Sequence, residues 1–209
     1  MLPAALILAG IFALCDWFAV ATSRRWLEYV GKPGVMAALI AAALVLDPVS
    51  DSQRVWFVVA LGLCLAGDVL LMLPQDLFLP GLVAFLAGHL AYLGGFLARG
   101  VTPGALAIGL AVVALADYQL GRPIVGFVRR RRPELLVAVV AYIAVISAMV
   151  VGAVGTGVWL AIVGAGLFFA SDGVLAWDRF GQAMPRGQLV VHVLYHLGQA
   201  ALVGSLVVR

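Results

Sequence analysis

The sequence predicts an all-α integral membrane protein, a bundle of about eight transmembrane helices, and three observations support this prediction. Hydrophobic residues make up 65% of the 209 residues, charged residues make up only 11%, and the mean hydropathy is +1.14. Soluble domains are about 45–50% apolar and about 25% charged. The apolar residues form runs close to the roughly 20 residues that a helix needs to cross a bilayer. The polar breaks between the runs are short, so we expect a single transmembrane domain over residues 1–209.

The individual spans extend from one polar break to the next. Prolines mark several of the breaks, as at Asp47-Pro48 and Arg132-Pro133, and this punctuation is typical of turns. The second span is short because Lys32-Pro33 is taken as its beginning. The predicted spans are residues 3–22, 33–47, 54–73, 77–98, 104–121, 134–151, 158–177 and 187–208.

The distribution of basic residues predicts the orientation. With eight spans, both termini lie on the same side of the membrane. That side carries Arg54, Arg99 and Arg209, and the other side carries Arg24, Arg25, Lys32, Arg122, Arg129, Arg130, Arg131, Arg132, Arg179 and Arg186. We therefore expect the richer side to be cytoplasmic and both termini to be outside. A composition rich in Ala, Val, Gly and Arg indicates a bacterial cell (inner) membrane.

Two aspartates lie inside apolar runs, at a similar depth near the predicted cytoplasmic ends of their spans. They are Asp68, in LGLCLAGDVLLML, and Asp172, in LFFASDGVLAW. A charged side chain at membrane depth costs several kcal/mol or more, and such residues are usually functional. Because separate spans contribute polar groups at one depth, we expect a shared cavity, although equal depth does not establish that the two side chains meet.

Other polar residues fall in the same layer of the membrane. His89 lies near the middle of the fourth span, and Lys32 is expected to cap the second span. In the last span, four polar side chains lie within about 100° of one helix face; they are His192, Tyr195, His196 and Gln199.

Four other residues need separate interpretation. Asp117 is interpreted as interfacial because it is close to a predicted loop, and Asp16, beside Trp17, is either interfacial or functional. His192 and His196 have the i,i+4 spacing of metal ligands, but HExxH is missing and the spacing alone is a weak signal. We expect neither a metal nor another cofactor.

Two carboxyl groups in a low-dielectric site predict a specific chemistry. Burial favours the protonated form of a carboxyl group, and a neighbouring carboxylate favours it further. One aspartate would then act as a general acid while its partner stays ionised, an arrangement suited to acid-labile C–O bonds.

Six stretches resemble the YhhN-like lysoplasmalogenase family of eight-span membrane proteins, and they occur in the family's order over most of the chain. They are Lys32-Pro33, Gly67-Asp68 before LLML, FLPGLVAFLAGHLAY at 78–92, Tyr142 with Met149, SDGVLAWDRF at 171–180, and Tyr195 with Gln199-Ala200. The resemblance implies hydrolysis of the vinyl ether bond of lysoplasmalogen to a fatty aldehyde and a glycerophospho-base, without a cofactor.

This resemblance and the buried polar groups together give a candidate site. Asp68 and Asp172 are expected to be catalytic, one as the acid and the other as the stabiliser of a cation. Lys32 is expected to bind the substrate phosphate. The expected substrate-binding residues also include His89, Tyr92, Ser171, Tyr195 and Gln199. The partners would be a lysophospholipid and membrane lipids, not nucleic acid. A proton-coupled transporter, a metal-dependent membrane lipid hydrolase and a non-catalytic membrane partner remain alternatives.

Overall fold

The structure, a computed structural model, describes residues 1–208, so Arg209, which contributed to the predicted orientation, lies outside the described residues. Within residues 1–208 all regular secondary structure is helical. The helices are α1 (Leu2–Ala21), α2 (Arg25–Val45), α3 (Asp51–Met72), α4 (Phe78–Arg99), α5 (Pro103–Ala116), α6 (Arg122–Arg131), α7 (Leu136–Gly155), α8 (Trp159–Phe180) and α9 (Gly187–Gly204). A π-helical turn, Asp117–Gly121, joins α5 to α6, and a short 3₁₀ turn, Pro133–Leu135, precedes α7.

Seven helical segments are long and apolar enough to cross a membrane, with α5 and α6 counting as one continuous segment, Pro103–Arg131. The eighth predicted span corresponds to α9, which has 18 residues and carries more polar groups. It packs along α8 and also contacts α1 and α2. The prediction of an all-α membrane bundle of about eight helices is therefore confirmed.

The second span is longer than its prediction. The break at Lys32-Pro33 lies inside α2, which begins at Arg25 and continues through Pro33. A proline removes one helical hydrogen bond, but packed membrane helices tolerate it because neighbouring groups satisfy the freed carbonyl. Gly31 lets α2 approach α1 closely, since a Cβ atom there would lie 2.9 Å from the Cβ of Asp16. Lys32 is therefore a buried residue within α2 and not a cap at its end.

The fifth span also continues beyond its predicted end. The segment predicted to leave the membrane near residue 121 stays helical to Arg131, so the basic run 129–132 lies at a helix end. Pro123 does not end the segment: it lies in the first turn of α6, directly after the π-helical turn Asp117–Gly121, where the hydrogen-bonding pattern changes. Asp117 consequently lies within a long helix and not near a loop.

Basic side chains tie together the loops at one end of the bundle, which we call the basic end. Arg25 donates to the carbonyl of Met72 at 3.4 Å, and Arg179 pairs with Asp76 at 2.9 Å. Arg131 donates to the carbonyl groups that end α8. The loops that the sequence assigned to one side of the membrane thus lie together.

Polar contacts also organise the opposite end. The guanidinium of Arg99 donates to the side chain of Gln53 at 3.1 Å and to the carbonyl of Ser205 at 3.2 Å. The backbone N–H of Val49 donates to the carbonyl of Leu206 at 2.8 Å. These contacts connect the ends of α3, α4 and α9.

We predict that a close backbone contact between α8 and α9 is sensitive to a single methyl group. A Cβ atom at Gly164 would lie 2.8 Å from the backbone nitrogen of Leu202 and 2.9 Å from the carbonyl oxygen of Gly198. Neither backbone atom can move alone, so Gly164→Ala should destabilise the bundle by about 1–3 kcal/mol. Thermal unfolding in detergent should show a Tm lower by several degrees.

The matched control is Gly166→Ala on the same helix. A Cβ atom at Gly166 meets nothing within 4 Å, so its Tm should stay at or above that of the wild type. An unchanged Tm for Gly164→Ala would show that α8 and α9 do not pack this closely.

Candidate functional site

A cavity of about 90 Å³ lies among α2, α3, α4, α7, α8, α9 and the α5–α6 segment. Both Asp68 and Asp172 border it, together with Lys32, Tyr195 and Ser171. Most of the other side chains around it are apolar, including several leucine, isoleucine and phenylalanine residues. An apolar cavity with a few converging polar groups is the usual form of a small-ligand site. The two aspartates, from different helices, therefore share one cavity.

Asp68 lies in a fully buried charge pair. Its Oδ1 is 3.0 Å from Nζ of Lys32, and its Oδ2 accepts a hydrogen bond of 2.6 Å from the hydroxyl group of Tyr195. The ammonium group of Lys32 also lies 5.4 Å from the centre of the Tyr195 ring. A carboxylate that faces an ammonium group and accepts a hydrogen bond from a hydroxyl group is stabilised in its ionised form. Helices α2, α3 and α9 each contribute one member of this network.

Asp172 has a different set of partners. Its Oδ2 accepts a hydrogen bond of 2.5 Å from the hydroxyl group of Tyr142 and lies 3.3 Å from Nε2 of His89. The same His89 nitrogen is 2.9 Å from the Tyr142 hydroxyl oxygen, so the three groups form a triangle. The Asp172 side chain is 16% exposed, whereas that of Asp68 is 0% exposed. Among the described residues, no hydrogen bond engages Oδ1 of Asp172, so this oxygen has no partner in the protein.

An aromatic side chain connects the two networks. Phe168 packs edge-on against the rings of both His89 and Tyr195, with ring centres 4.6 Å and 5.2 Å apart. Phe168 is fully buried. The partners of Asp68 and of Asp172 are therefore held against one rigid side chain.

Three of the expected substrate-binding residues are engaged elsewhere. The hydroxyl group of Tyr92 donates to Oε1 of Gln199 at 2.5 Å, and both side chains are fully buried. Neither residue is among the described residues that border the cavity. Ser171 does border it, but its hydroxyl group donates to the carbonyl of Val191 at 3.0 Å. In the structure these residues hold helices together beside the cavity.

The polar residues at the cavity that were not among the expected site residues include Tyr142 and Asp117. In the sequence Tyr142 stood out only as a position that matches the family. A tyrosine in an apolar run does not reveal which side chain its hydroxyl group contacts. The interpretation of Asp117 as interfacial is wrong: it borders the cavity, and its Oδ2 accepts a hydrogen bond of 2.8 Å from Ser147. The reason is the uninterrupted helix around it, which keeps it away from any loop.

A second buried polar cluster surrounds Asp16, which is fully buried inside the bundle. Its Oδ2 lies 2.7 Å from Nδ1 of His192 and 3.9 Å from Nδ1 of His196. The indole N–H of Trp17 donates to His196 at 3.2 Å. Within residues 1–208 no three His, Cys, Asp or Glu side chains come together in a way that could hold a metal ion. His192 and His196 thus partner Asp16 and Trp17.

Several known proteins are similar in sequence to this chain. Human (Homo sapiens) Lysoplasmalogenase TMEM86B is 34% identical over 195 residues, covering 92% of this chain and 74% of the human protein. The Mycobacterium tuberculosis Lysoplasmalogenase is 38% identical over 152 residues, covering 69% of this chain and 57% of that protein. Lysoplasmalogenase TMEM86B of Sus scrofa is 35% identical over 144 residues, covering 67% of this chain and 58% of that relative.

The chain therefore spans most of the human relative but little more than half of the pig and mycobacterial ones. No solved structure matches it significantly. The sequence profile of the YhhN family matches residues 27–206, which include Asp68, Asp172 and all of their partners described above. Since the profile covers most of the chain, and relatives above 30% identity cover two thirds of it or more, this protein belongs to the YhhN family.

Proposed function

We propose that this protein is a membrane hydrolase that cleaves the vinyl ether bond of a lysoplasmalogen, releasing a fatty aldehyde and a glycerophospho-base. Family membership and three relatives named lysoplasmalogenase support this activity. The observation that carries the mechanism is the position of two aspartates, with different partners, on one apolar cavity. An alkenyl chain is compatible with such a lining.

The chemistry of vinyl ethers defines what the site must supply. A proton adds to the carbon remote from the oxygen, and an oxocarbenium ion forms. Water then adds to the carbon next to the oxygen and gives up a proton, which restores the acid, and the resulting hemiacetal collapses to an aldehyde and an alcohol. The enzyme therefore needs a proton donor that can touch carbon, a negative charge that stabilises the cation, and a place for one water molecule.

We assign Asp172 as the proton donor. A donor to carbon must be accessible from the cavity, and the side chain of Asp172 is partly exposed whereas that of Asp68 is not. The Tyr142 hydroxyl and Nε2 of His89 both lie at Oδ2, so Oδ1 is left to carry the proton. Tyr142 and His89 are then positioning residues that hold the carboxyl group in one orientation.

Asp68 would be the ionised partner. The ammonium group of Lys32, 3.0 Å away, stabilises its negative charge. Asp68 accepts a hydrogen bond from the hydroxyl group of Tyr195, a residue that borders the cavity. The same hydroxyl oxygen can accept a hydrogen bond from the attacking water. In this assignment Lys32 stabilises the negative charge of Asp68. Another residue must therefore bind the phosphate of the substrate.

We place the protein in the bacterial inner membrane with the basic end facing the cytoplasm, because basic loops favour that side. The substrate would then enter from the inner leaflet, with its headgroup at the basic end and its chain in the apolar cavity. Both the ethanolamine and the choline headgroup are compatible with this arrangement.

We expect each aspartate to be required for turnover. Loss of a general acid costs about 10²–10⁴-fold in rate, and loss of an electrostatic stabiliser about 10²–10³-fold. Asp172→Asn and Asp68→Asn should therefore each lower kcat by at least about a hundredfold. Aldehyde release by the purified proteins in detergent, followed with a coupled aldehyde dehydrogenase, measures this loss.

The control is Asp47→Asn, which makes the same chemical change in an exposed loop residue. It should retain wild-type activity, as should the wild type after treatment with a chelator. Full activity of both Asp68→Asn and Asp172→Asn would exclude the carboxylate mechanism.

We also expect the reaction to leave an isotopic mark on its product. Protonation at carbon in D₂O should place one deuterium on the carbon next to the aldehyde group. Immediate borohydride reduction traps the product as an alcohol, and mass spectrometry reads the label. Aldehyde added separately to the same buffer corrects for spontaneous exchange. An unlabelled product would show that the bond breaks without carbon protonation.

The buried ion pair between Lys32 and Asp68 should contribute strongly to the stability of the folded protein. Removal of one member of a buried ion pair costs about 3–5 kcal/mol, because the other charge is left without a partner. Lys32→Met should therefore lower the Tm markedly, and the double variant Lys32→Met/Asp68→Asn should recover much of that loss while remaining inactive. Additive losses of Tm would show that the two residues do not interact.

A further inference from the structure

Two cationic side chains are among the described residues that border the cavity, Lys32 and Arg179. Lys32 is nearly fully buried and paired with Asp68, so it already has its counter-ion. Arg179 lies in the last turn of α8, at the basic end, and its side chain is 32% exposed. Arg179 is therefore the cation that both reaches the cavity and meets solvent.

The surroundings of Arg179 suit the binding of an anion. Its guanidinium carbon lies 4.0 Å from the centre of the Phe78 ring, a stacking contact that orients the planar group. Its present counter-ion, Asp76, is 2.9 Å away on a loop, and the Asp76 side chain is 71% exposed. An ion pair this exposed contributes only about 0–1 kcal/mol, so a ligand anion can replace Asp76 at little cost.

The spacing along α8 matches the substrate of the proposed reaction. Arg179 lies almost two helical turns after Asp172 on the same face, which corresponds to roughly 10 Å of rise. In a lysoplasmalogen, seven bonds separate phosphorus from the vinyl carbon that takes the proton, and seven extended bonds cover about 8 Å. A charge-assisted hydrogen bond adds about 2.8 Å. A phosphate at Arg179 therefore brings the vinyl ether to Asp172.

We propose that Arg179 binds the phosphate of the lipid substrate and thereby sets which part of the lipid reaches Asp172. This inference rests on the proposed function for the identity of the substrate. The part of the alkenyl chain next to the vinyl ether then lies among the apolar side chains of the cavity, and the headgroup stays at the basic end. Arg179 is a specificity-determining residue, because it distinguishes lipids that carry a phosphate from those that do not.

Binding of uncleavable lipids tests this role without turnover. The probes are a saturated alkyl-ether lysophosphatidylethanolamine and the alkylglycerol of the same chain length, titrated against the purified protein in dodecyl maltoside by isothermal calorimetry. Loss of a hydrogen bond to a charged group corresponds to roughly tenfold in Kd. Arg179→Gln should raise the Kd of the phospholipid about tenfold and leave that of the alkylglycerol unchanged.

Two further variants separate this role from general effects of charge and structure. Arg179→Lys keeps the charge but loses the planar, stacked group, so its Kd for the phospholipid should fall between those of the wild type and Arg179→Gln. The matched control is Arg129→Gln, which removes one exposed arginine from α6, outside the cavity lining. Its affinity for both lipids should equal that of the wild type.

Several results would overturn the inference: an equal loss of affinity for both lipids in Arg179→Gln, no loss for either, or the same loss in Arg129→Gln. Glycerophosphoethanolamine, which has no chain, should bind far more weakly than the phospholipid. Equal binding would mean that phosphate alone is the ligand, which also overturns the proposal.

Kinetic measurements on the wild type and Arg179→Gln test the role of Arg179 separately from the proposed function. With a cleavable lysoplasmalogen, Arg179→Gln should raise KM about tenfold and leave kcat within about twofold, because the reacting atoms lie at Asp172. A wild-type protein that releases no aldehyde would contradict the proposed function. The phosphate-dependent difference in Kd would still decide the role of Arg179.

Discussion

The buried pair of Lys32 and Asp68 is the interaction on which the rest of the site depends. An isolated charge at this depth would cost several kcal/mol or more, so each of the two charges stabilises the other. Their 3.0 Å contact joins α2 to α3, and the hydroxyl group of Tyr195 brings in α9. Electrostatics therefore specifies how three helices meet, in surroundings where apolar contacts alone discriminate poorly between packings.

The two aspartates of the cavity illustrate how one residue type can serve two purposes. Asp68 is fully buried beside the ammonium group of Lys32, whereas Asp172 contacts Tyr142 and His89 and is partly exposed. A hydroxyl group donates to each of the two aspartates, but of the two only Asp68 has an ammonium group as a direct partner, and an adjacent cation favours the ionised form of a carboxyl group. In the proposed mechanism the two roles follow from the partners and the exposure of each aspartate.

The helices were predictable because hydrocarbon leaves few alternatives. Every backbone polar group must be satisfied within its own segment, so long apolar runs become helices. The prediction was wrong at two breaks, before Pro33 in α2 and after Gly121 in the α5–α6 segment, where helices continue. In the first case a buried partner makes a lysine acceptable inside the helix, and in the second a proline falls in a helical first turn.

The sequence by itself determined the fold class, the depth of Asp68 and Asp172, and the helix face that carries Tyr195, because these follow from composition and helical periodicity. Only the tertiary structure decided which side chains meet. It paired Lys32 with Asp68, brought Tyr142 to Asp172, and engaged Tyr92 with Gln199 beside the cavity. The physical reason is that helical periodicity defines how far along a helix a side chain lies and on which face it lies. The rotation of that helix about its axis, and the helices it contacts, depend on long-range packing.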